Sequence, residues 1–432
     1  MDTIFALASA QGKAGVAVVR VSGPQTVLAL HRLTNLSDLP VKPTLRALRD
    51  GDGGLIDRAL ILGFAKGKSF TGETVLEFQL HGSPAIVRSV LHELSSIESF
   101  RLAEPGEFTR RALDSGNLDL AQVEGLADLL EAETEAQRKQ AISVFEGRLG
   151  DLALEWRSKL VRAGALIQAT IDFADEDVPE DVTPEVHDLV TDVQSALNEQ
   201  LLGYSAAERI RDGFKVAIVG KPNVGKSSLL NRLAGREVAI TSEIAGTTRD
   251  LVEIHIDING LAISIIDTAG LRMSDDPLEN LGIERARTFA ENADMRIFLA
   301  DQRGHELSVE QFEGDIFVSG KSDLLDERLS GDLEISSITG EGVVELKEAI
   351  FSELSKRAQR AGSLTRERHR IAVVSALNEL KIVQDQLSSG FGEADLIAEN
   401  LRHASNYLGA IVGSIDVEDI LDVVFSSFCL GK

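Results

Sequence analysis

Residues 214–235 read FKVAIVGKPNVGKSSLLNRLAG, and the fold turns on this stretch. An apolar run, Val216–Val219, enters Gly220-Lys221-Pro222-Asn223-Val224-Gly225-Lys226-Ser227, and an amphipathic pattern leaves it. Strand, glycine-rich turn and helix in that order make a phosphate cradle. Glycines let the backbone wrap the anion, and amide N–H groups at the helix start point at it. Lys226 is expected to bridge the β- and γ-phosphates, and the Ser227 hydroxyl to ligate Mg²⁺. The run Asn223, Val224, Gly225, Lys226, Ser227 and Ser228 is therefore a nucleotide-contact candidate. A bare glycine turn before a helix is the plainer reading, and the flanking strand and helix argue against it.

Three further elements follow at suitable spacing. TSEIAGTTRD (241–250) supplies Thr248, a second Mg²⁺ ligand and γ-phosphate sensor on a loop, with Ser242, Glu243, Ile244, Ala245, Gly246 and Thr247 before it. ISIIDTAGLR (263–272) puts Asp267 at a strand end for water-mediated metal contact. Thr268 and Ala269 lead to Gly270, where an amide can meet the γ-phosphate. FVSGKSDL (317–324) lets Lys321 stack along a base and Asp323 accept from the guanine N1/N2 edge. SSITGEG (336–342) offers backbone amides of Ser336, Ser337 and Ile338 to guanine O6. Together these specify GTP rather than ATP.

Two departures stand out. Gly320 replaces the Asn of the usual Asn-Lys-x-Asp guanine motif, a loss of roughly 1–3 kcal/mol in nucleotide affinity. Binding should be weaker and still guanine-selective, because Asp323 is kept. Leu271 stands where many small GTPases carry a water-orienting Gln. Asn223, with the oxygen-rich loop Ser242–Thr247, could hold a monovalent cation against the phosphates. Glu279 could position the attacking water; a solvated surface acid is its other reading.

At 432 residues the chain is too long for one ordinary core. One cysteine excludes an internal disulfide and a cysteine-rich zinc site, which fits a reducing, cytoplasmic setting. Asp2 stands where a signal peptide would be basic, and no stretch has about 20 uncharged apolar residues, so no membrane span is expected. The net charge of −25 repels polyanions, so any RNA substrate needs a local basic patch or a basic partner. Residues 1–117 read as a β-rich α+β domain with a helix near Pro84–Leu94. From Leu118 apolar residues recur at three- and four-residue spacing without proline, which predicts helices to about 173 and again over Pro184–Arg211. Residues 212–355 alternate strand and helix, and residues 356–432 return to helical texture. The expected architecture is multidomain: an α+β domain, a helical domain in two parts (118–211 and 356–432), and a P-loop α/β domain inserted between them.

SFTGE (69–73), LEFQLHG (76–82), EPGEFTRRAL (104–113), NLDLAQVEGLADLL (117–130), GTTRD (246–250), DTAGLR (267–272) and the tail FCLGK (428–432) closely resemble the MnmE (TrmE) family along the whole chain. These are tRNA-modification GTPases of bacteria and mitochondria. The resemblance implies a GTP hydrolase that works with an FAD-dependent partner, MnmG, in a heterotetramer. It implies a carboxymethylaminomethyl or aminomethyl group installed at C5 of the wobble uridine of certain tRNAs. The one-carbon unit would come from a tetrahydrofolate derivative, 5-formyl or 5,10-methylene, on the N-terminal domain. Folate-site positions fall on Arg20, Glu77, Asn117 and Lys432; Asn117 stands where some relatives have Lys. The resemblance further implies a homodimer through the N-terminal domains and potassium-dependent pairing of the G domains. Potassium ligation falls on Asn223, Ser242, Ile244 and Thr247, water orientation on Glu279, and Arg272 lies in the same segment.

The competing class is a GTP-switch ribosome-assembly factor, which usually appends a basic RNA-binding module; here the flanks are acidic. GDGG (51–54) matches a Gly-x-x-Gly spacing but reads as a turn. His81 is open between lining the folate cleft and a structural role. Cys429 fits a prenylation signal poorly, since Gly431 and a terminal Lys follow it. A buried inert thiol is one remaining reading, and a catalytic residue at the folate site is the other.

Overall fold

The computed structural model describes residues 2–40, 42–172, 181–221, 223–238, 253–267, 287–301, 309–324, 333–389, 393–413, 425, 428 and 431. The chain forms two compact units, Met1–Ala127 with Gly409–Lys432, and Asp128–Leu408.

The first unit is built on strands β1 (Thr3–Leu7), β2 (Val16–Ser22), β3 (Thr44–Arg49), β4 (Leu55–Phe64), β5 (Val75–His81) and β6 (Phe100–Leu102), in the spatial order β3-β4-β5-β2-β1-β6. Alternation along VAVVRVS sends Ala17, Val19 and Val21 to one face, where Leu76, Phe78 and Leu80 of β5 join them. Helices Thr26–Thr34 and Pro84–Ser95 cover that face, the second where the sequence predicts it. At GDGG the chain makes the expected turn: the Asp50 carboxylate accepts from the Asp52 and Gly54 amides at 3.1 and 2.6 Å.

An ion-pair cluster ties the start of the chain to helix Glu107–Asp114. Arg111 donates to Glu73, Asp2 and Glu107 at 2.9–3.0 Å, and Arg101 also pairs with Glu107. Burial pushes the Glu107 carboxyl upward, but hydrogen bonds from Arg101, the Glu104 amide and Arg111 outweigh it and hold the group below the usual carboxylate range. Near the C-terminus, Phe425 and Phe428 are buried with ring centroids 6.0 Å apart, and the Arg110 guanidinium lies 5.3 Å from Phe425. Gly431 approaches β1 so closely that a Cβ would sit 2.1 Å from the Leu7 carbonyl, and its φ is +96°. Any other residue there would push the tail off the strand.

The second unit joins helices to a second sheet. Helix Glu135–Phe145 starts on a capping box between Thr134 and Gln137. In helix Arg148–Asp172 the buried residues Leu149, Ala153, Trp156, Leu160, Ala163 and Ile167 recur every three or four positions and face helix Thr183–Asp212. Helices Glu367–Ser389 and Ala394–Ile411 complete the described helices of the C-terminal part. Strands β7 (Phe214–Val219), β8 (Glu253–Ile258), β9 (Leu261–Asp267), β10 (Met295–Ala300), β11 (Ile316–Ser319) and β12 (Leu333–Glu334) line up as β12-β11-β10-β7-β9-β8. All pair in parallel except β8 with β9. Val216, Ile218, Ile265, Ile297 and Leu299 fill one side, and Ala217, Val219 and Phe298 the other, as a doubly covered parallel sheet requires.

The sheet is an insertion in a helical frame. The chain leaves helix Thr183–Asp212 at Gly213 and, after helix Val343–Ala358, returns beside that same helix. There the Gly362 amide donates to the Gly203 carbonyl at 3.1 Å. A Cβ on Gly203 would lie 2.4 Å from the Gly362 nitrogen, so only glycine permits the crossing. Among the described residues no helix is long and apolar enough to cross a membrane.

Candidate functional site

In a parallel sheet, ligands gather at the carboxyl ends of the strands. There β7 delivers the glycine-rich loop, β9 Asp267, β11 the Gly320–Asp323 segment and β12 the Ser336 loop. Gly220 packs against β10, where a Cβ would meet the Leu299 carbonyl at 2.2 Å. Asn223 and Gly225 take φ of +62° and +111°, turning the loop back before helix Lys226–Val238 begins. Lys226 is buried and its Nζ donates to the carbonyls of Gly220 and Lys221 at 2.7 and 3.1 Å, so its ammonium lies inside the loop. The helix N-terminus adds oriented amides to that positive charge.

Ser227 Oγ donates to Asp267 Oδ2 at 2.7 Å. Asp267 is 5% exposed, and its other oxygen, Oδ1, is buried with no hydrogen-bond partner among the described residues. A buried carboxylate oxygen left alone costs about 1–3 kcal/mol or more. A hard divalent cation, met directly by the Ser227 hydroxyl and through water by Asp267, would satisfy it. These residues therefore fit Mg²⁺.

On the base side, the Gly320 amide donates to Ala300 O at 2.8 Å, and Lys321, at φ +59°, sends Nζ to the Asn223 carbonyl at 2.9 Å. That bond ties the base loop to the phosphate loop. Asp323 is exposed on a short 3₁₀ turn. Ser336 is fully buried and caps its own loop, accepting from the Thr339 amide at 3.2 Å; Ser337 is half-buried and Ile338 exposed. A Cβ at Gly320 would meet Leu299 Cδ1 at 3.1 Å and the Ala300 and Val224 carbonyls at 3.4 and 3.5 Å. There is room for a side chain if the Leu299 methyl gives slightly. Gly320→Asn should therefore tighten guanine-nucleotide binding by up to about tenfold, or ~1.4 kcal/mol. Titration with a fluorescent GDP analogue measures this, and an unchanged or weakened Kd would show that the missing Asn is compensated elsewhere.

The N-terminal unit holds a separate arrangement. Arg20 and Glu77 are directly opposed in the β2–β5 register, and Arg20 Nε donates to Glu77 Oε1 at 2.9 Å. The guanidinium lies 5.6 and 6.0 Å from the Phe108 and Phe70 ring centres, and its Nη1 reaches the Gly431 carbonyl at 3.4 Å. Aromatic faces hold a cation in place while leaving its N–H groups directed at the rim. Asn117 is exposed, and its amide nitrogen donates to the Ser69 and Phe70 carbonyls at 3.0 and 3.2 Å, bracing the loop that carries Phe70. His81 is tied to buried Asp57 by its ring and its amide, at 2.7 and 2.9 Å. The sequence reading missed Phe70, Phe108 and the Gly431 carbonyl, although both phenylalanines stand inside its motifs SFTGE and EPGEF.

Ser242, Glu243, Ile244, Ala245, Gly246, Thr247, Thr248, Thr268, Ala269, Gly270, Arg272, Glu279, Cys429 and Lys432 lie outside the described residues.

A family model described as the MnmE helical domain matches residues 120–429, and one described as the GTP-binding protein TrmE N-terminus matches residues 3–117. The chain is similar to the tRNA modification GTPase MnmE of Cereibacter sphaeroides, 54% identical over 432 residues, and of Dinoroseobacter shibae, 53% over 432 residues. It is likewise similar to that of Roseobacter denitrificans, 54% over 434 residues; all three alignments span the whole of both chains.

Proposed function

The chain belongs to the MnmE family of tRNA modification GTPases, and from that premise we propose how its two sites divide the work. It is a GTP hydrolase of tRNA modification. The observation that carries the nucleotide half is the Ser227–Asp267 pair with its unpartnered Asp267 Oδ1 beside the Lys226 loop. GTP lies along the carboxyl ends of β7 and β9. Loop amides from Asn223 to Ser228 and the Lys226 ammonium hold the phosphates, and Asp323 selects guanine. Ser227 and Thr248 directly, and Asp267 through water, would hold Mg²⁺, which would supply charge neutralisation at the γ-phosphate. Leu271 cannot orient water, so that task passes to Glu279, with Arg272 in the same segment. Asn223, with Ser242, Ile244 and Thr247, would hold the potassium ion on which pairing of the two G domains, and with it hydrolysis, depends. GTP turnover in K⁺ should exceed that in Na⁺ by about tenfold or more, some 1.4 kcal/mol of transition-state stabilisation. Equal steady-state rates in the two salts would remove the cation loop.

The second half of the reading places a tetrahydrofolate derivative against Arg20, Glu77, Asn117 and Lys432. The guanidinium pairs with a glutamyl carboxylate, and Glu77 accepts from the pterin N–H edge. Lys432 follows Gly431 in sequence and Cys429 stands two residues before it, and the Gly431 carbonyl lies beside Arg20. The domain division is 1–117 for folate and dimerisation, 118–211 and 356–432 for the helical domain, and 212–355 for the G domain. A homodimer joined to MnmG then modifies C5 of the wobble uridine in the cytoplasm. Mass spectrometry of tRNA from a strain lacking this chain tests that outcome. Wobble uridines bare at C5, with normal ribosomal subunits, are expected; modified uridines with defective subunits would support the assembly-factor reading instead.

A further inference from the structure

We propose that the free edge of the N-terminal sheet, strand β3 with its neighbour β4, is where the tRNA phosphate backbone docks; this rests on the tRNA reading above. The chain's charge is unevenly placed. Residues 1–127 and 409–432 carry 14 Lys and Arg against 18 Asp and Glu, so most of the −25 lies in the other unit. A polyanion is therefore repelled least from this unit.

Within the unit, positive charge collects at one place. Lys42, Arg46, Arg49, Arg58, Lys66 and Lys68 are all exposed. The same stretch holds three acids, Asp50, Asp52 and Asp57. Asp57 is buried against His81, and Asp50 is turned onto backbone amides. Arg46, Arg49 and Arg58 form no ion pair among the described residues. Arg46 and Arg49 each donate one Nη1 bond to a carbonyl, of Leu45 and Gly53, which leaves their remaining donors to solvent. Arg138, Arg162, Arg287 and Arg370 in the acidic unit are, by contrast, each paired with a glutamate.

β3 ends the sheet, so among the described residues no strand covers it on the outer side. Arg46 stands opposite Ala59 and Ala47 opposite Arg58, so adjacent steps of the ribbon direct guanidinium groups to opposite faces. Planar guanidinium forks suit phosphate oxygens. Arg20 and Glu77 lie on the same sheet; β3 is three strands from β2, about 14 Å at ~4.8 Å per strand. About four stacked nucleotides span that distance. RNA held at the edge would thus have a base within reach of the candidate one-carbon site.

The test uses the full-length chain and the variant R46Q/R49Q/R58Q, with R46K/R49K/R58K as the charge-retaining control. tRNA affinity is measured from 50 to 200 mM salt, together with GTP turnover, thermal melting and oligomeric mass. The Gln variant should lose about tenfold or more in affinity at low salt. Its salt slope should fall by about 2, near 0.7–0.9 for each phosphate no longer neutralised. Turnover, melting and mass should be unchanged, and the Lys variant should keep the wild-type slope. Unchanged affinity and slope in the Gln variant would overturn the edge alone. Altered oligomeric mass would also overturn it, assigning the edge to a second copy of the chain. Wild-type chain without salt-dependent tRNA binding would overturn the edge and assign the tRNA contact to the partner; the tRNA reading itself is tested separately by the wobble-uridine analysis above.

Discussion

Asp267→Asn should slow GTP turnover by about two orders of magnitude, ~2.7 kcal/mol of transition-state stabilisation, and change GTP affinity only a few-fold. The substitution keeps the side chain's size and one oxygen, so the Ser227 bond at 2.7 Å can be preserved in geometry. What it removes is the negative charge and the lone pairs of Oδ1, the buried oxygen with no described partner. An amide there would aim N–H donors at the place where cation-bound water is needed. Binding rests mainly on the loop amides and Lys226, which Asp267 does not touch, so Kd is largely spared while the chemical step suffers. Single-turnover phosphate release measures the effect. Turnover within threefold of wild type would show that Asp267 is only a structural partner of Ser227.

The second large effect separates the two sites. Arg20→Gln should reduce tRNA modification by about tenfold or more and leave GTP turnover unchanged. Arg20 is half-buried, paired with Glu77 and flanked by Phe70 and Phe108, so the obvious objection is that the pair merely holds β2 to β5. A double-mutant cycle answers it. If the pair were only structural, R20Q/E77Q would regain stability and activity together, because neither charge would be left alone. If Arg20 holds a carboxylate of the bound folate, the double variant regains stability and stays inactive. Melting temperature and wobble-uridine analysis, read side by side, distinguish these outcomes. Arg20→Lys sharpens the point, since an ammonium keeps the charge and loses the planar fork.

Local chemistry explains what the sequence makes legible. The loop from Gly220 to Ser227 is readable because a strand, a run of special backbone angles and a helix start are all encoded within a dozen residues. Asn223 and Gly225 indeed carry the positive φ that the turn needs. Helices Arg148–Asp172 and Thr183–Asp212 are readable from apolar spacing alone. Pairings between distant segments are not. Arg20 and Glu77 are separated by 57 positions and meet only because β2 pairs with β5, a choice that alternation in either strand does not specify. Asn117 enters the folate set only through the resemblance, and the sequence does not show that its amide nitrogen braces two carbonyls of the 69–70 loop. The Gly203–Gly362 crossing, which returns the chain to the helical frame, depends on two glycines with no shared motif. Gly320 shows the reverse case: its departure from the guanine motif is plain in the sequence. That a Cβ there would have Leu299 and Val224 as neighbours required the fold.

GTP hydrolysis at the carboxyl ends of β7 and β9 is proposed to drive the tRNA modification. The most direct measurement is mass spectrometry of wobble uridine in tRNA from a strain lacking the chain, complemented with wild type or with Asp267→Asn at equal protein levels. The account predicts C5 modification restored by wild type and absent or nearly so with Asp267→Asn. Full modification with Asp267→Asn, alongside the expected loss of GTP turnover, would contradict it.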